Sequence, residues 1–205
     1  MPPVPRFEEK LPTVYSSEQT EALLAAADSY MRICDLLGLE CGLRDKELMH
    51  LEFTDINWGD KTLRVQAKKQ WNFCPRTWEQ RDIPIPDDFL IELKAWKDCR
   101  EGHALMLGTK NRTPTTKLLR TLKRLAHREG LNCGRCDGCL KKDNECREFT
   151  LHRWRRTYLT TLLRNGIDIR TVPACAGHKD LVSTMRYLRP TTGVQAQAKL
   201  NAVQW

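Results

Sequence analysis

Four side chains in the last third of this chain, His152, Arg155, His178 and Tyr187, are of types that bind and attack phosphate, and Arg44 adds an upstream guanidinium. Charge builds on the non-bridging oxygens of a phosphodiester during cleavage, and planar guanidinium groups match that geometry. A tyrosine hydroxyl that attacks phosphorus leaves a covalent phosphoryl–enzyme linkage, which keeps the bond energy for rejoining. This set of residues could therefore cleave and rejoin a phosphodiester without a metal ion.

Order and spacing distinguish these residues from the many other basic side chains. His152 and Arg155 stand three residues apart on a predicted helix and so share one face of it. Tyr187 follows His178 by nine residues. The neighbouring Arg153 and Arg156 are predicted to lie on the surface or to contact a DNA backbone.

Composition limits the class of protein. The chain has 205 residues, 40% of them hydrophobic, which is enough for one good core. Its formal charge of +8 favours a polyanionic partner such as nucleic acid. No run approaches 18 apolar residues and the N-terminus lacks the apolar core of a signal peptide, so we expect no membrane contact and a cytoplasmic protein.

The periodicity predicts a mainly α fold with a small antiparallel β-sheet, an α+β class. Ser16 and Gln19 form a predicted capping box before the first helix. Strand patterns cover 53–58, 62–67 and 81–86, with the prolines of the third run favouring an edge position. The other predicted helices cover 29–39, 44–51, 87–99, 115–128, 151–164, 168–176 and 180–188. Cys34, Cys41 and Cys175 lie in apolar helical surroundings and are expected to be buried.

A second cluster consists of four cysteines, Cys133, Cys136, Cys139 and Cys146, just before the helix of His152. Two spacings of two intervening residues suit tetrahedral Zn²⁺. An iron–sulfur centre is disfavoured because the last spacing is too long for the ferredoxin pattern. The alternative is four free thiols in a surface loop. We expect a structural zinc clip within 131–148 rather than a catalytic metal.

Taken together, these motifs resemble the catalytic domain of the tyrosine recombinases, the phage integrase family. The resemblance covers roughly residues 7–190. It rests on Gly42-Leu43-Arg44-Asp45-Lys46-Glu47-Leu48, a lysine after a strand, His152-Arg153-Trp154-Arg155, Gly177-His178 and Tyr187. Each motif is weak alone, and their ordered combination is specific.

The resemblance implies a role for each matched residue. Arg44 and Arg155 would clamp the scissile phosphate, and His178 would hydrogen-bond to it. Tyr187 would form a 3′-phosphotyrosine, with His152 helping to accept its proton. A hairpin lysine would protonate the leaving 5′-oxygen; Lys68, directly after the strand, is favoured, and Lys69 is the alternative. Catalysis would need no cofactor.

By the same analogy the partner is double-stranded DNA, with four protomers on two sites and a monomer in isolation. We expect an extended arm (1–13), a catalytic domain (14–190) and a C-terminal tail (191–205) that docks on a neighbouring protomer. The family's N-terminal DNA-clamping domain has no counterpart in this sequence, so the chain is expected to bind DNA weakly by itself. The long hairpin contains Trp71 and Trp78, which either contact DNA or pack internally.

Two other functions stay open at this point. One is a type IB topoisomerase-like enzyme that relaxes DNA by the same chemistry. The other is a non-catalytic, zinc-containing DNA-binding module. The complete set from Arg44 to Tyr187 argues against the module, since binding alone requires no ordered nucleophile.

Overall fold

The computed structural model describes residues 12–76, 80–140 and 145–177, together with Met185. The α-helices in these ranges are α1 (Ser17–Ala26), α2 (Ser29–Glu40), α3 (Asp45–His50), α4 (Asp87–Cys99), α5 (Leu118–Arg128), α6 (Asp137–Leu140), α7 (Leu151–Arg164) and α8 (Thr171–Ala176). None of them is long and apolar enough to cross a membrane. The expected mainly α class is confirmed.

A three-stranded antiparallel sheet lies between α3 and α4. Its strands are β1 (Ile56–Asn57), β2 (Thr62–Val65) and β3 (Arg81–Pro84), in the order β1-β2-β3. Leu63 of β2 pairs with Ile56 on one side and Ile83 on the other. The proline-containing β3 is an edge strand, as its sequence predicts, because a proline nitrogen has no hydrogen to donate to a further strand.

The first predicted strand is partly wrong. Phe53–Asp55 forms a 3₁₀ turn, and only Ile56–Asn57 is extended. The cause is local: the Asp55 carboxylate accepts a hydrogen bond of 2.8 Å from the backbone N–H of Glu52, and the Asp55 N–H donates to the Glu52 carbonyl at 3.0 Å. These short-range bonds curl the backbone before it can pair with a neighbouring strand.

Several helix limits follow their sequence signals closely. The capping box of Ser16 and Gln19 is present at the start of α1. Helices α4 and α7 have the predicted limits, whereas α8 begins three residues late, at Thr171. The delay has a cause, since the Asp168 side chain accepts from the Arg170 N–H at 2.9 Å and holds that stretch as a turn. The predicted helix 180–188 lies outside the described residues apart from Met185.

The core is built on the contact between α2 and α7. Trp154 of α7 is fully buried, and its indole N–H donates a 2.8 Å hydrogen bond to Asp35 of α2. Gly38, one turn further along α2, allows the close approach: a β-carbon there would lie 2.7 Å from Cβ of Trp154. The ring of Tyr15 covers the other side of Trp154, with centroids 4.4 Å apart.

Arg153 is a structural residue and not the surface or DNA-contacting arginine expected from its basic neighbourhood. Its guanidinium lies 4.6 Å from the ring centroid of Tyr15 and donates to the carbonyls of Val14 and Glu148. These contacts connect the first turn of α7 to the segment before α1, at Val14, and to the segment before α7, at Glu148. Of the three cysteines expected to be buried, Cys34 and Cys41 are, whereas Cys175 is only half-buried.

The buried carboxyl of Asp35 predicts an unusual pH dependence of stability. Burial raises the pKa of Asp35 to about 8, despite the hydrogen bond from Trp154, and its second carboxyl oxygen has no hydrogen-bond partner. Because the folded pKa lies above the unfolded one, the folded protein binds the extra proton between pH ~4 and ~8 and loses stability across that window as pH rises. Asp35→Asn should therefore be more stable than the wild type at pH 8, by on the order of a few kcal/mol. Urea unfolding from pH 4 to pH 9 measures this, and a difference that does not grow with pH would contradict it.

Candidate active site

Three arginine side chains donate hydrogen bonds to consecutive backbone carbonyls at the end of α8. The pairs are Arg81 with Cys175 (3.0 Å), Arg155 with Ala176, and Arg44 with Gly177 (3.0 Å). The last carbonyls of a helix have no partner within the helix and carry partial negative charge, so cationic donors stabilise them. The end of α8 is thereby fastened to β3, α7 and the start of α3.

Beneath these arginines lies the buried carboxylate of Glu47, on α3. It accepts two hydrogen bonds from the Arg81 guanidinium, at 2.7 and 3.0 Å, and one of 3.0 Å from the Arg44 guanidinium. It also accepts the backbone N–H of Arg44 at 2.8 Å, which caps α3. Burial alone would raise the pKa of Glu47, but the bonds and charges of Arg81 and Arg44 bring it below its usual value. Glu47 is therefore an anion that holds two guanidinium groups in place.

Arg155 is 1% exposed and connects α7 to the loop between α2 and α3. Its guanidinium donates to the Gly42 carbonyl at 2.5 Å. Gly42 has φ +61°, and a β-carbon there would lie 2.3 Å from the ring of Tyr158. Only glycine meets both conditions, so the glycine before the Leu43–Arg44 pair allows the loop to reach Arg155.

His152 lies one turn before Arg155 on α7 and is half-buried. Burial, and after it the positive charges of Arg156, Arg155, Arg44 and Arg76 in that order, together lower the pKa of His152 to about 4. The imidazole is consequently neutral at physiological pH and can accept a proton. The positive charges of these four side chains also favour the binding of an anion near His152.

Lys68 is bound by a different pair of carboxylates, those of Glu52 and Asp55. Its ammonium donates to Glu52 at 2.8 Å and to Asp55 at 2.5 Å, and its side chain is 6% exposed. Burial opposes its charge, but the two carboxylates raise the pKa of Lys68 above its ordinary value. Among the described residues, the hydrogen bonds that its ammonium donates go to these two carboxylates. Lys69, the alternative, is exposed.

The described residues thus bring Arg44, His152 and Arg155 together, whereas the ammonium of Lys68 is bound to Glu52 and Asp55. His178 and Tyr187 lie outside the described residues. In sequence, however, His178 directly follows Gly177, whose carbonyl Arg44 holds. Trp71 of the hairpin is half-buried and donates its indole N–H to Glu52 at 2.9 Å, whereas Trp78 is outside the described residues.

Two residues of this arrangement were not predicted from the sequence as parts of the site. Glu47 belongs to the motif around Arg44, and its position three residues after Arg44 is a signal that the helix start could have provided. Arg81 stands in a strand of ordinary composition, and no local pattern in the sequence indicates its partner Glu47. Its role follows only from burial and from the contact between β3 and α8.

The four predicted metal-ligating cysteines do converge. Their sulfur atoms all lie within 4.8 Å of one another, and Cys146 is buried whereas Cys133, Cys136 and Cys139 are half-buried. Three sulfur pairs are 3.5, 3.7 and 3.9 Å apart, and all four thiols are free. Sulfurs at about 2.3 Å from a tetrahedral Zn²⁺ would be about 3.8 Å apart. The cluster could therefore bind a metal ion.

Comparison with known proteins identifies the class. The phage integrase family matches residues 14–193, most of the chain, and the chain belongs to that family. A tyrosine recombinase of Thermosipho africanus is 28% identical over 206 aligned positions, and the alignment covers 98% of this chain and 64% of that protein. The tyrosine recombinase XerA of Pyrococcus horikoshii is 25% identical and covers 92% of this chain and 60% of its own length.

Solved structures share the fold. A crystal structure of XerA recombinase superposes with a TM-score of 0.71 at 19% identity, covering 96% of this chain and 68% of the other. The integrase of the Tn1549 transposon, in complex with circular intermediate DNA, gives 0.71 at 20% identity, covering 95% of this chain and 67% of that one. The described fold is therefore that of tyrosine recombinase catalytic domains, and the chain spans less than two thirds of the length of the two sequence relatives above.

The buried anion Glu47 predicts a large and specific loss of stability when its charge is removed. Glu47→Gln leaves the nearly buried guanidinium of Arg81 without a counter-charge, which costs about 3–5 kcal/mol. A matched control is Glu92→Gln, which breaks the half-exposed pair of Glu92 with Arg32 and should cost less than about 1 kcal/mol. Urea unfolding of the two variants measures both values. Equal losses would show that Glu47 does not organise the arginines.

Proposed function

We propose that this chain is the catalytic domain of a site-specific DNA recombinase, which cleaves and rejoins DNA strands through a phosphotyrosine on Tyr187. The observation that carries the proposal is the prearranged cluster of Arg44 and Arg155 beside the neutral imidazole of His152. The order of the sequence motifs supplies the nucleophile. Membership of the phage integrase family supports the same reaction.

The arginines stabilise charge on the phosphate. A guanidinium is most effective when its position is fixed before the substrate arrives, because no energy is then needed to order it during the reaction. Arg155 is held by Gly42 and Ala176, and Arg44 by Glu47 and Gly177. His178, directly after Gly177, would add a hydrogen bond to a non-bridging oxygen.

Proton transfers complete the reaction. The hydroxyl oxygen of Tyr187 attacks phosphorus and its proton passes to the neutral His152, while the bond from phosphorus to the 5′-oxygen breaks. Lys68 gives that oxygen a proton and leaves a free 5′-hydroxyl. Rejoining reverses each step, with a 5′-hydroxyl attacking the phosphotyrosine. No metal ion or nucleotide takes part.

The proposed partner is double-stranded DNA, with four protomers acting on two sites and residues 191–205 contacting a neighbour. A crystal structure of XerH recombinase bound to its difH substrate has the same fold as this chain, with a TM-score of 0.68 and 19% identity, over 95% of this chain and 56% of that one. The net charge of +8 is consistent with a DNA partner. The activity would place the protein at the nucleoid, in the cytoplasm.

We also propose that Cys133, Cys136, Cys139 and Cys146 bind a structural Zn²⁺. The ion would replace repulsion among thiolates by four metal–sulfur bonds and would fix the segment between α5 and α7. Glu145, beside the last ligand, lies 3.7 Å from Arg120 and 3.8 Å from Lys123 of α5. Glu148 accepts a hydrogen bond from Arg153 of α7. The metal would therefore hold the first turn of the helix that carries His152.

The test of the recombinase proposal is covalent capture of DNA. We expect the wild-type chain, incubated with nicked duplexes of randomised sequence, to form an adduct that survives denaturation and carries DNA through a 3′-phosphate. Tyr187→Phe should form no adduct and should retain binding in a gel-shift assay, because it lacks only the nucleophilic oxygen. Tyr158→Phe, which removes a hydroxyl from a buried tyrosine of α7, is the matched control and should still react.

Other outcomes of this experiment point to the other functions. An adduct that persists in Tyr187→Phe excludes Tyr187 as the nucleophile. Relaxation of supercoiled plasmid by adducts at unrelated sequences would indicate a topoisomerase-like enzyme. DNA binding without any adduct in the wild type would indicate a binding module.

For the cysteine site, elemental analysis of the purified chain should give one Zn²⁺ per protomer. Removal with a strong chelator should lower the melting temperature, and added Zn²⁺ should restore it, because the metal binds only the folded chain. Cys139→Ser should lose the metal, whereas Cys99→Ser, at an exposed cysteine of α4, should keep it. If the purified chain contains no metal and its melting temperature does not change with chelator, the zinc site is excluded.

A further inference from the structure

We infer that Glu52 acts as a latch that holds the hairpin lysine Lys68 away from the reacting phosphate until DNA binds. This inference rests on the proposed function, in which Lys68 protonates the leaving 5′-oxygen. It adds a positioning role for Glu52, a residue outside the motifs that carry the chemistry. Its basis is the set of contacts around one carboxylate.

Three donors from one short loop converge on Glu52. The Lys68 ammonium donates to one carboxylate oxygen at 2.8 Å, and Gln70 and Trp71 donate to the other at 3.0 and 2.9 Å. The loop is closed on itself, since Lys68 and Phe73 exchange backbone hydrogen bonds of 2.9 and 3.0 Å. The loop is therefore bonded internally, and Glu52 is the acceptor that its Lys68, Gln70 and Trp71 side chains share.

In this position Lys68 cannot act as the acid. A general acid must lie within hydrogen-bond reach of the oxygen that it protonates. The Lys68 side chain is 6% exposed, with Glu52 on one side and the 1% exposed side chain of Asp55 on the other. The two carboxylates also hold the proton more firmly, which weakens the ammonium as a donor. The latched lysine is both shielded and inactive.

DNA supplies the competing anion. The phosphates of a bound duplex can replace Glu52 and Asp55 as the partners of the ammonium, since charge-assisted hydrogen bonds to phosphate and to carboxylate are of similar strength. Lys69, which is exposed next to Lys68, provides a charge on the loop that a DNA backbone would attract. The lysine would then reach the leaving oxygen only in the complex with DNA. Arg44 and Arg155, in contrast, are in place beforehand.

The first test needs no DNA. Each lysine of the free chain is acetylated with a small amine-reactive ester and its rate is followed by mass spectrometry. Lys68 should react much more slowly than Lys69. Glu52→Gln should accelerate Lys68 on the order of tenfold, because a lost charge-assisted bond changes an equilibrium by about that factor. Glu92→Gln, the distant control, should leave the rate unchanged. An unchanged Lys68 rate in Glu52→Gln would overturn the latch.

The second test separates a latch from a merely structural residue. Two substrates of the DNA sequence captured by the wild type are compared in single-turnover cleavage, one ordinary and one with sulfur in place of the bridging 5′-oxygen. A thiolate leaves without a proton because thiols are far more acidic than alcohols. Glu52→Gln should accelerate the oxygen substrate and leave the sulfur substrate unchanged. Lys68→Met should abolish cleavage of the oxygen substrate only, and Lys69→Met should cleave both.

The remaining outcomes are also decisive. If Glu52→Gln slows both substrates by the same factor, Glu52 is structural and the latch is wrong. If the Glu52→Gln variant unfolds before the assay, Trp71→Phe is used instead, because it removes one of the three donors without a change of charge. It should also accelerate acetylation of Lys68. An unchanged rate counts against the latch. If the wild type forms no Tyr187 adduct on any DNA, the proposed function fails, and the acetylation rates still decide whether Glu52 shields Lys68.

Discussion

The buried ion cluster of Glu47, Arg44 and Arg81 is the constraint on which the rest of the site depends. It joins α3 to β3, and the same two arginines hold the last carbonyls of α8, 133 residues beyond Arg44 in the case of Gly177. Burying a charged group costs free energy unless the group is paired with an opposite charge and its hydrogen bonds are made. Here each charge has partners, so the cluster tolerates one geometry and breaks down in others. In this geometry, Arg44 and Arg155 both donate hydrogen bonds to carbonyls at the C-terminal end of α8.

The catalytic cluster therefore depends on backbone atoms as much as on side chains. Arg155 is fixed by the carbonyls of Gly42 and Ala176, and neither contact depends on the chemical identity of a partner side chain. What the chain must supply is close approach. Gly42 provides it against Tyr158, and Gly38 provides it between α2 and Trp154. The close packing of α2 on α7 and the position of the Arg155 guanidinium therefore both require that the chain approach α7 closely.

Prediction from the sequence succeeded where the signal was local. The limits of α7 and the capping box at Ser16 follow from periodicity and capping residues, and the spacing of the four cysteines predicts that their sulfur atoms lie close together. It failed where a contact joins distant segments. Arg153 has the same local sequence signal as Arg156, but only Arg153 lies over Tyr15, a residue 138 positions earlier. Likewise nothing near Lys68 in sequence indicates that Glu52 and Asp55 bind it.

The two parts of the site differ in how they are prepared for the reaction. The arginines must meet a phosphate whose charge is present from the start, so holding them rigidly costs nothing during the reaction. A general acid has a different requirement, because a proton is useful only when the phosphorus–oxygen bond is breaking. Lys68 sits on a short loop and is held by the carboxylates of Glu52 and Asp55, whereas Arg155 lies within a 14-residue helix at the centre of the core. A rigid clamp and a releasable acid let binding of DNA come before commitment to cleavage.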